Sequence, residues 1–185
     1  MPNYRRPNIS GATYFITQVT YQREPWLCEN IARQALREAI QNVRKKYPFS
    51  IDAFILLPNH FHCLWTLPDN DHDFSVRLRL IKTYVTKNYS EQLAIENPIS
   101  QSRQKRGEKN LWQRRFWEHL IRDEQDFMVH CDYIHYNPVK HRLCINPQDW
   151  QFSSIHRFMK QEIYPRNWGV NVILDIPAIC MINLH

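Results

Sequence analysis

Two histidines separated by one residue, His60 and His62, are the side chains of this chain best placed to do chemistry. They lie in residues 55–65, a largely apolar run that is typical of a strand hairpin. Side chains alternate between the faces of a strand, so both imidazoles point to one face while Phe61 and Cys63 point to the other. Two imidazoles on one face can ligate a single divalent ion. The alternative is an ordinary histidine pair without a metal.

A phenol and an amide follow on a predicted helix further along the chain. Tyr133 and Asn137 are four residues apart and therefore share a helix face. Such a phenol can attack phosphorus and form a covalent intermediate, while an amide oxygen and two imidazoles suit Mg²⁺ or Mn²⁺, which polarises a phosphate oxygen. The alternatives are structural: Tyr133 as a packing aromatic, and Asn137 as a helix-ending residue before Pro138.

The composition indicates one globular domain with a polyanionic partner. The 185 residues are 43% hydrophobic and 13% aromatic, which excludes a disordered chain. The formal charge of +6 and the pI near 9.1 favour nucleic acid over an acidic protein or a neutral metabolite. We expect neither a signal peptide nor a membrane span, and hence a cytoplasmic protein.

The five cysteines predict no structural framework. Their number is odd, they lie far apart, and no pair has the C-x-x-C spacing. We therefore expect buried or incidental thiols rather than disulfides or a zinc finger.

The order of predicted elements favours a ferredoxin-like α+β sandwich with an antiparallel sheet. The order is β-α-β-β-α-β, and the runner-up is a helix bundle. In such a sandwich we expect the helices on one face of the sheet, where Tyr133 can approach the histidines. Asp73 and Asp123 are the predicted N-caps of the last two long helices, and Pro138 is predicted to end the last one. The predicted strands cover residues 12–20, 50–57, 60–67 and part of 111–121; the helices cover 29–47, 74–89, 124–136 and part of 150–159; residues 97–110 form a mobile loop.

The C-terminal residues are predicted to form a separate segment. We predict a domain over residues 1–162 and a tail over residues 163–185. The tail is apolar enough to dock on the domain. It either regulates access to a nucleic-acid groove or caps the core as an edge element, and the sequence leaves both alternatives open.

Four motifs in order resemble the REP-associated tyrosine transposases, relatives of the single-tyrosine insertion-sequence transposases in the HUH endonuclease superfamily. The resemblance covers nearly the whole chain, about residues 4–158. Its one departure is Gln151, which replaces the usual proline in a loop. The motifs are residues 57–62, 112–122, 132–140 and 149–154.

This resemblance implies an RRM-like sandwich whose helices carry the HUH site, with His60, His62 and Asn137 as metal ligands and Tyr133 as nucleophile. It implies a metal-dependent single-stranded DNA endonuclease and strand-transferase that acts at hairpin-forming repetitive extragenic palindromes through a 5′-phosphotyrosine. The metal is Mg²⁺ or Mn²⁺, and the protein is a monomer that acts on the nucleoid in the cytoplasm.

Three alternatives to this activity remain open. The first is a catalytically silent nucleic-acid-binding regulator on the same fold. The second is a metal hydrolase that activates water and needs a carboxylate base such as Asp52 or Asp69. The third, a two-histidine phosphodiesterase, needs two H-x-T/S motifs, and the chain has a single H-x-H.

Candidate DNA contacts lie in three parts of the chain. The N-terminal segment resembles the family segment that reads a tetranucleotide beside a hairpin, and the alternative is a solvated basic terminus. Other candidates mix cations with an aromatic ring, as single-stranded nucleic acid favours. By contrast, the run Arg103, Lys105 and Arg106 is expected to be solvated, and Lys82 and Lys87 are not expected to share a face. The candidates are Tyr4, Arg5, Arg6, Arg114, Arg115, Trp117 and Lys140.

Overall fold

A four-stranded antiparallel sheet forms the centre of the structure, a computed structural model that describes residues 9–93 and 99–170. The strands lie in the spatial order β2-β3-β1-β4. They are β1 (Thr13–Val19), β2 (Ser50–Leu57), β3 (His60–Thr66) and β4 (Trp117–Leu120). The helices are α1 (Asn30–Lys46), α2 (Phe74–Tyr89), α3 (Gln101–Gln104), α4 (Glu124–Lys140) and α5 (Ile155–Lys160).

The predicted α+β class with an antiparallel sheet is confirmed, as are the type and order of the main elements. The bounds of β2 agree with the prediction, those of β1 and α1 differ by one residue at each end, and β3 ends one residue earlier than predicted. Both predicted N-caps are confirmed: the Asp73 carboxylate accepts from the Val76 N–H, and the Asp123 carboxylate accepts from the Asp126 N–H. No helix within the described ranges is long and apolar enough to cross a membrane.

The expectation that all helices lie on one face of the sheet is wrong. Tyr14 and Ile16 of β1 pack in a core with α1 and α2, whereas Phe15, between them, packs in a second core with α4 and α5. The reason is visible in β3, where the first six residues are all buried. A strand whose side chains are buried on both faces has to be covered by other elements on both faces.

Helix α4 also continues beyond the predicted stop at Pro138. A proline lacks the N–H that would bond to the carbonyl four residues earlier, yet the helix reaches Lys140 before it ends. The His141 N–H closes the end by donating to the Asn137 carbonyl oxygen at 3.0 Å. The extra turn keeps Asn137 and Lys140 helical, and so fixes where their side chains lie relative to Tyr133.

The segment predicted as a mobile loop contains a short helix and a buried arginine. Arg103, in α3, donates from its guanidinium to the carbonyl oxygens of Lys109 and Trp112, both at 3.2 Å, and lies over the Tyr21 ring. The expectation of a solvated charge run is therefore wrong for Arg103. Lys105 and Arg106 are exposed, as expected.

The beginning of the predicted tail belongs to the core on the α4 side of the sheet. The Tyr164 side chain is 4% exposed, and its hydroxyl donates to the Asp132 carboxylate at 2.6 Å. The same hydroxyl lies 3.2 Å from the His135 ring, and the Trp168 ring stacks on that of Tyr164. These contacts favour the capping role for residues 163–170. Residues 171–185 lie outside the described ranges, and the domain boundary after residue 162 stays a prediction.

We predict that Tyr164→Ala lowers the free energy of unfolding by about 3–5 kcal/mol, the usual cost of deleting a buried aromatic side chain. Urea denaturation measures this loss. The matched control is Ile163→Ala, because Ile163 is the neighbouring residue and is 48% exposed; we expect it to cost less than about 0.5 kcal/mol. Equal losses for the two variants would show that residue 164 is not part of the core.

Candidate metal centre and nucleophile

His60 and His62 lie at the start of β3, directly after the turn that joins it to β2. Both side chains point to the face that α4 covers, as strand alternation predicts, and their ring centroids are 4.8 Å apart. Both residues are buried, at 6% and 2% exposure. Phe61 and Cys63 point into the opposite core, beside α1 and α2.

Each imidazole is oriented by a hydrogen bond through its Nδ1 atom. The His60 Nδ1 lies 2.6 Å from the Asn59 Oδ1, and the His62 Nδ1 lies 2.7 Å from the Thr17 hydroxyl. A carbonyl oxygen can only accept, so the His60 Nδ1 carries the hydrogen and its Nε2 keeps a lone pair. The His62 Nε2 is buried and has no hydrogen-bond partner among the residues that the structure describes. Metal-ligating histidines are typically oriented in this way, by a hydrogen bond to the ring nitrogen that does not bind the metal.

Burial keeps both imidazoles neutral. It lowers the pKa of His60 to about 3, with a further contribution from the nearby charges of His141 and Arg23. The pKa of His62 is lowered well below its ordinary value by the same burial and by the neighbouring His60. Neutral imidazole is the form that binds a metal ion, so no proton has to be removed from the ring before a metal binds at neutral pH.

Helix α4 brings two side chains to the histidines, Tyr133 and Asn137, and its C-terminal end adds His141 one turn later. The Tyr133 ring centroid is 5.2 Å from that of His62, and the His141 ring centroid is 5.1 Å from that of His60. Asn137 is 1% exposed, and both atoms of its amide lack a hydrogen bond of normal geometry among the described residues. The Asn137 amide nevertheless lies close enough to the His60 ring to offset a part of the lowering of the His60 pKa, which remains about 3.

This donor set fits a divalent cation. The ring nitrogen Nε2 of His62 and the amide of Asn137 are both buried and lack a regular partner among the described residues, which is costly unless a ligand binds them. Imidazole nitrogens and an amide oxygen are both donors that proteins use for divalent metal ions. The structure thus brings together the four residues singled out from the sequence, His60, His62, Tyr133 and Asn137.

Four further residues at this site were missed in the sequence. His141 could have been found, because it continues the four-residue spacing of Tyr133 and Asn137. Asn59 directly precedes the histidine motif. Thr17 and Arg23 gave no local signal, since Thr17 reaches His62 only through the pairing of β1 with β3.

The candidate DNA contacts lie in different surroundings. Lys140 is exposed, and its ammonium lies 5.0 Å from the Tyr133 ring centroid, at the metal centre. Trp117 is half-buried on the α4 side and packs edge-on against Phe15. Arg114 and Arg115 are exposed just before β4. Tyr4, Arg5 and Arg6 lie outside the described residues.

A second group that could hold a metal ion consists of His119, Asp126 and His130, whose ligand atoms lie within 4.8 Å of one another. The Asp126 carboxylate accepts from the His119 Nε2 at 2.8 Å and lies 3.1 Å from the His130 Nδ1. Burial opposes ionisation, yet the hydrogen bonds from His119 and Arg122 hold the pKa of Asp126 at about 2. The His119–Asp126 bond ties β4 to the first turn of α4, whereas the buried Nε2 of His130 has no hydrogen-bond partner among the described residues.

The chain matches the sequence model of a family described as "Transposase IS200 like" over residues 8–137. It is 42% identical to a putative REP-associated tyrosine transposase of Haemophilus influenzae, with 95% of this chain and 98% of that protein covered. It is 41% identical to a REP-associated tyrosine transposase of Escherichia coli K12, with 93% of each covered. A solved structure of a REP-associated tyrosine transposase bound to a REP hairpin aligns with a TM-score of 0.74 and 40% identity, covering 95% of this chain and 96% of that one.

We predict that Thr17→Val weakens the binding of Mn²⁺ by about 10- to 100-fold, because the His62 ring loses the partner of its Nδ1. Isothermal titration calorimetry measures the affinity. The control is Thr13→Val, which removes a hydroxyl of the same strand that bonds to the Thr66 hydroxyl instead. Unchanged affinity in Thr17→Val, or an equal loss in both variants, would contradict an orienting role for Thr17.

Proposed function

The chain belongs to the IS200-like transposase family and is a transposase, and we propose that it cuts and rejoins single-stranded DNA at hairpin-forming repetitive extragenic palindromes. The observation that carries this proposal is the convergence of His60, His62 and Asn137 beside the Tyr133 ring. A relative with 40% identity was solved with a REP hairpin bound, which supports a hairpin DNA as the partner.

In this proposal Tyr133 is the nucleophile. Its phenolic oxygen forms a bond to the phosphorus of the scissile phosphodiester, and the bond from phosphorus to the 3′ oxygen breaks. The products are a 5′-phosphotyrosine and a free 3′-hydroxyl, and the reverse attack by a 3′-hydroxyl rejoins a strand. A divalent ion held by the two imidazoles and the amide would supply polarisation of a phosphate oxygen.

The surroundings of Tyr133 favour a phosphate group as the reactant. Arg23 and Lys140 are exposed cations whose charges act on the histidines of the site. Their positive field would attract the phosphodiester and offset the charge that builds up during attack. We further propose that the protein is a monomer, as the resemblance to REP-associated tyrosine transposases implies, and that it acts on the nucleoid in the cytoplasm, where its DNA substrate lies.

The second candidate is a nucleic-acid-binding regulator with the same fold but without catalytic activity. It is less well supported, because His60, His62, Tyr133 and Asn137 are all present. A hydrolase that activates water is less well supported. Its candidate bases, Asp52 and Asp69, lie near the far end of β3, where the Asp52 carboxylate accepts from the Thr66 hydroxyl. Thr66 is six residues from His60, a strand distance of about 20 Å.

We predict that Tyr133→Phe abolishes the covalent protein–DNA adduct but leaves folding and hairpin binding intact, because it removes only the hydroxyl. The assay incubates the protein with hairpin single-stranded DNA and Mg²⁺ and looks for a denaturant-resistant adduct. Tyr136→Phe, on another face of α4, is the control and should form the adduct normally. An adduct in Tyr133→Phe that mass spectrometry maps to another residue would refute this assignment.

For the metal, we predict that His60→Ala or His62→Ala abolishes cleavage and leaves hairpin affinity within a few-fold, since phosphate contacts elsewhere position the DNA. Asn137→Ala should cost less activity, because a neutral amide is a weaker ligand than imidazole. Cleavage by gel electrophoresis and binding by fluorescence anisotropy separate the two effects. Full activity of the wild-type protein in excess EDTA would rule out a metal-dependent reaction.

A further inference from the structure

Three side chains of metal-ligating type, His119, Asp126 and His130, form a compact group that the proposed reaction does not use. His119 lies in β4, whereas Asp126 and His130 lie on successive turns of α4. One ligand atom of each residue lies within 4.8 Å of those of the other two. Residues four apart on a helix share a face, and this spacing is one by which a helix supplies two ligands to one ion. The neighbouring strand supplies the third ligand.

The ligand atoms are already close to the separation that a tetrahedral ion requires. With bonds of about 2.0–2.2 Å, neighbouring ligands of such an ion are about 3.4 Å apart. The Asp126 Oδ2 lies 2.8 Å from the His119 Nε2, and the Asp126 Oδ1 lies 3.1 Å from the His130 Nδ1. Both distances would have to increase by less than about 1 Å. The His119 side chain is 28% exposed, so it has room to move outward.

The hydrogen bonds of His130 leave its ring incompletely satisfied. Its Nδ1 lies 2.7 Å from the Asp126 carbonyl oxygen and so carries the ring hydrogen, since that oxygen can only accept. Its Nε2 is buried and has no hydrogen-bond partner in the part of the chain that the structure describes. Moving the hydrogen to Nε2 therefore breaks one bond, at Nδ1, and none at Nε2. The Nδ1 lone pair then faces the Asp126 carboxylate, an arrangement that a cation stabilises.

The Asp126 carboxylate is ionised at neutral pH and is held in place by the backbone. Its pKa is about 2, because hydrogen bonds from His119 and Arg122 outweigh the effect of burial. The Arg122 N–H donates to Oδ2 at 3.0 Å, the kind of bond that orients a ligating carboxylate. The Arg122 guanidinium also contacts Oδ2, but this side chain is 73% exposed. An exposed ion pair contributes little, so a divalent ion can displace the guanidinium into water.

The Phe15 ring separates this group from the metal centre. The ring centroid of Phe15 lies 4.8 Å from that of His130 and 5.4 Å from that of His62. Along α4, His130 precedes Asn137 by seven residues, a rise of about 10 Å. The two groups share no residue, so an ion in one does not compete for the ligands of the other.

We propose that His119, Asp126 and His130 bind Zn²⁺, with a water molecule as the fourth ligand. Two imidazoles and one carboxylate are a ligand set that proteins use for zinc. The partly exposed His119 side chain leaves solvent access for the water. The ion would join β4 to α4, the helix that carries Tyr133, and so has a structural role. This inference does not depend on the proposed strand transfer.

The test uses Co²⁺, which takes the place of Zn²⁺ in proteins and absorbs visible light according to its coordination geometry. The starting protein is the full chain with His60→Ala and His62→Ala, which remove the imidazoles of the metal centre. His119→Ala is added as the site variant, because a partly exposed histidine can be removed without unfolding the core. His156→Ala is added as the control, since His156 is an exposed histidine of α5.

We expect the starting protein to bind one equivalent of Co²⁺ with the spectrum of a tetrahedral site, and Zn²⁺ to displace it. Adding His119→Ala should weaken binding at least about tenfold, as the loss of a ligand costs no less than the loss of an outer partner. Adding His156→Ala should change nothing. A starting protein that binds no Co²⁺ would overturn the proposal. So would equal binding after His119→Ala, which would mark an adventitious ion only.

Thermal unfolding tests the structural role. Zn²⁺ at about a hundred times its Kd should raise the Tm of the starting protein by about 5–10 °C, because the ion binds the folded chain. The variant with His119→Ala should show no such rise, and an equal rise in both proteins would overturn the proposal. Both experiments use a protein without the imidazoles of the metal centre, so their outcome is separate from that of the DNA cleavage assays.

Discussion

The arrangement of the site depends on the burial of two neutral imidazoles between the sheet and α4. Removing polar ring nitrogens from water is costly unless each finds a partner. The hydrogen bonds to Asn59 and Thr17 satisfy one nitrogen of each ring and fix its orientation. The Asn137 amide, itself without a regular partner among the described residues, lies close to His60. A cation would satisfy these atoms together with the second ring nitrogens, so the same burial that costs free energy in the protein alone prepares the site for a metal.

This arrangement requires that α4 does not shift, and hydrogen bonds on two sides of the helix hold it. Near its first turn, Asp126 bonds to His119 and so ties the helix to the edge strand β4. On the side away from the metal centre, the buried His135 ring lies 2.8 Å from the Ser154 hydroxyl, at the start of α5. Tyr133 lies between these two anchors along the helix, so its phenol is positioned by contacts that involve none of the proposed metal ligands.

The two faces of the sheet carry different groups of side chains. The α4 face carries the groups that would break and form bonds, while the α2 face carries a basic cavity, between α2 and residues 103–116, that none of these groups lines. The exposed arginines before β4 lie on the edge between the faces. A substrate that is single-stranded beside a hairpin could contact both faces, because an unpaired strand bends around an edge that a duplex cannot follow.

Local periodicity and local hydrogen bonds account for the features that could be predicted from the sequence. Strand alternation placed His60 and His62 on one face, helical spacing paired Tyr133 with Asn137, and the carboxylates of Asp73 and Asp123 marked the starts of two helices.

Contacts between distant elements, by contrast, became visible only in the folded chain. Thr17 bonds to His62 because β1 pairs with β3, and Arg103 is buried because two backbone carbonyls and the Tyr21 ring surround it, which no charge pattern reveals. The expectation that Lys82 and Lys87 would not share a face is wrong, because long flexible side chains let both reach the same cavity. The local pattern fixes the direction of a side chain from its own backbone, but its partners depend on how distant elements pack.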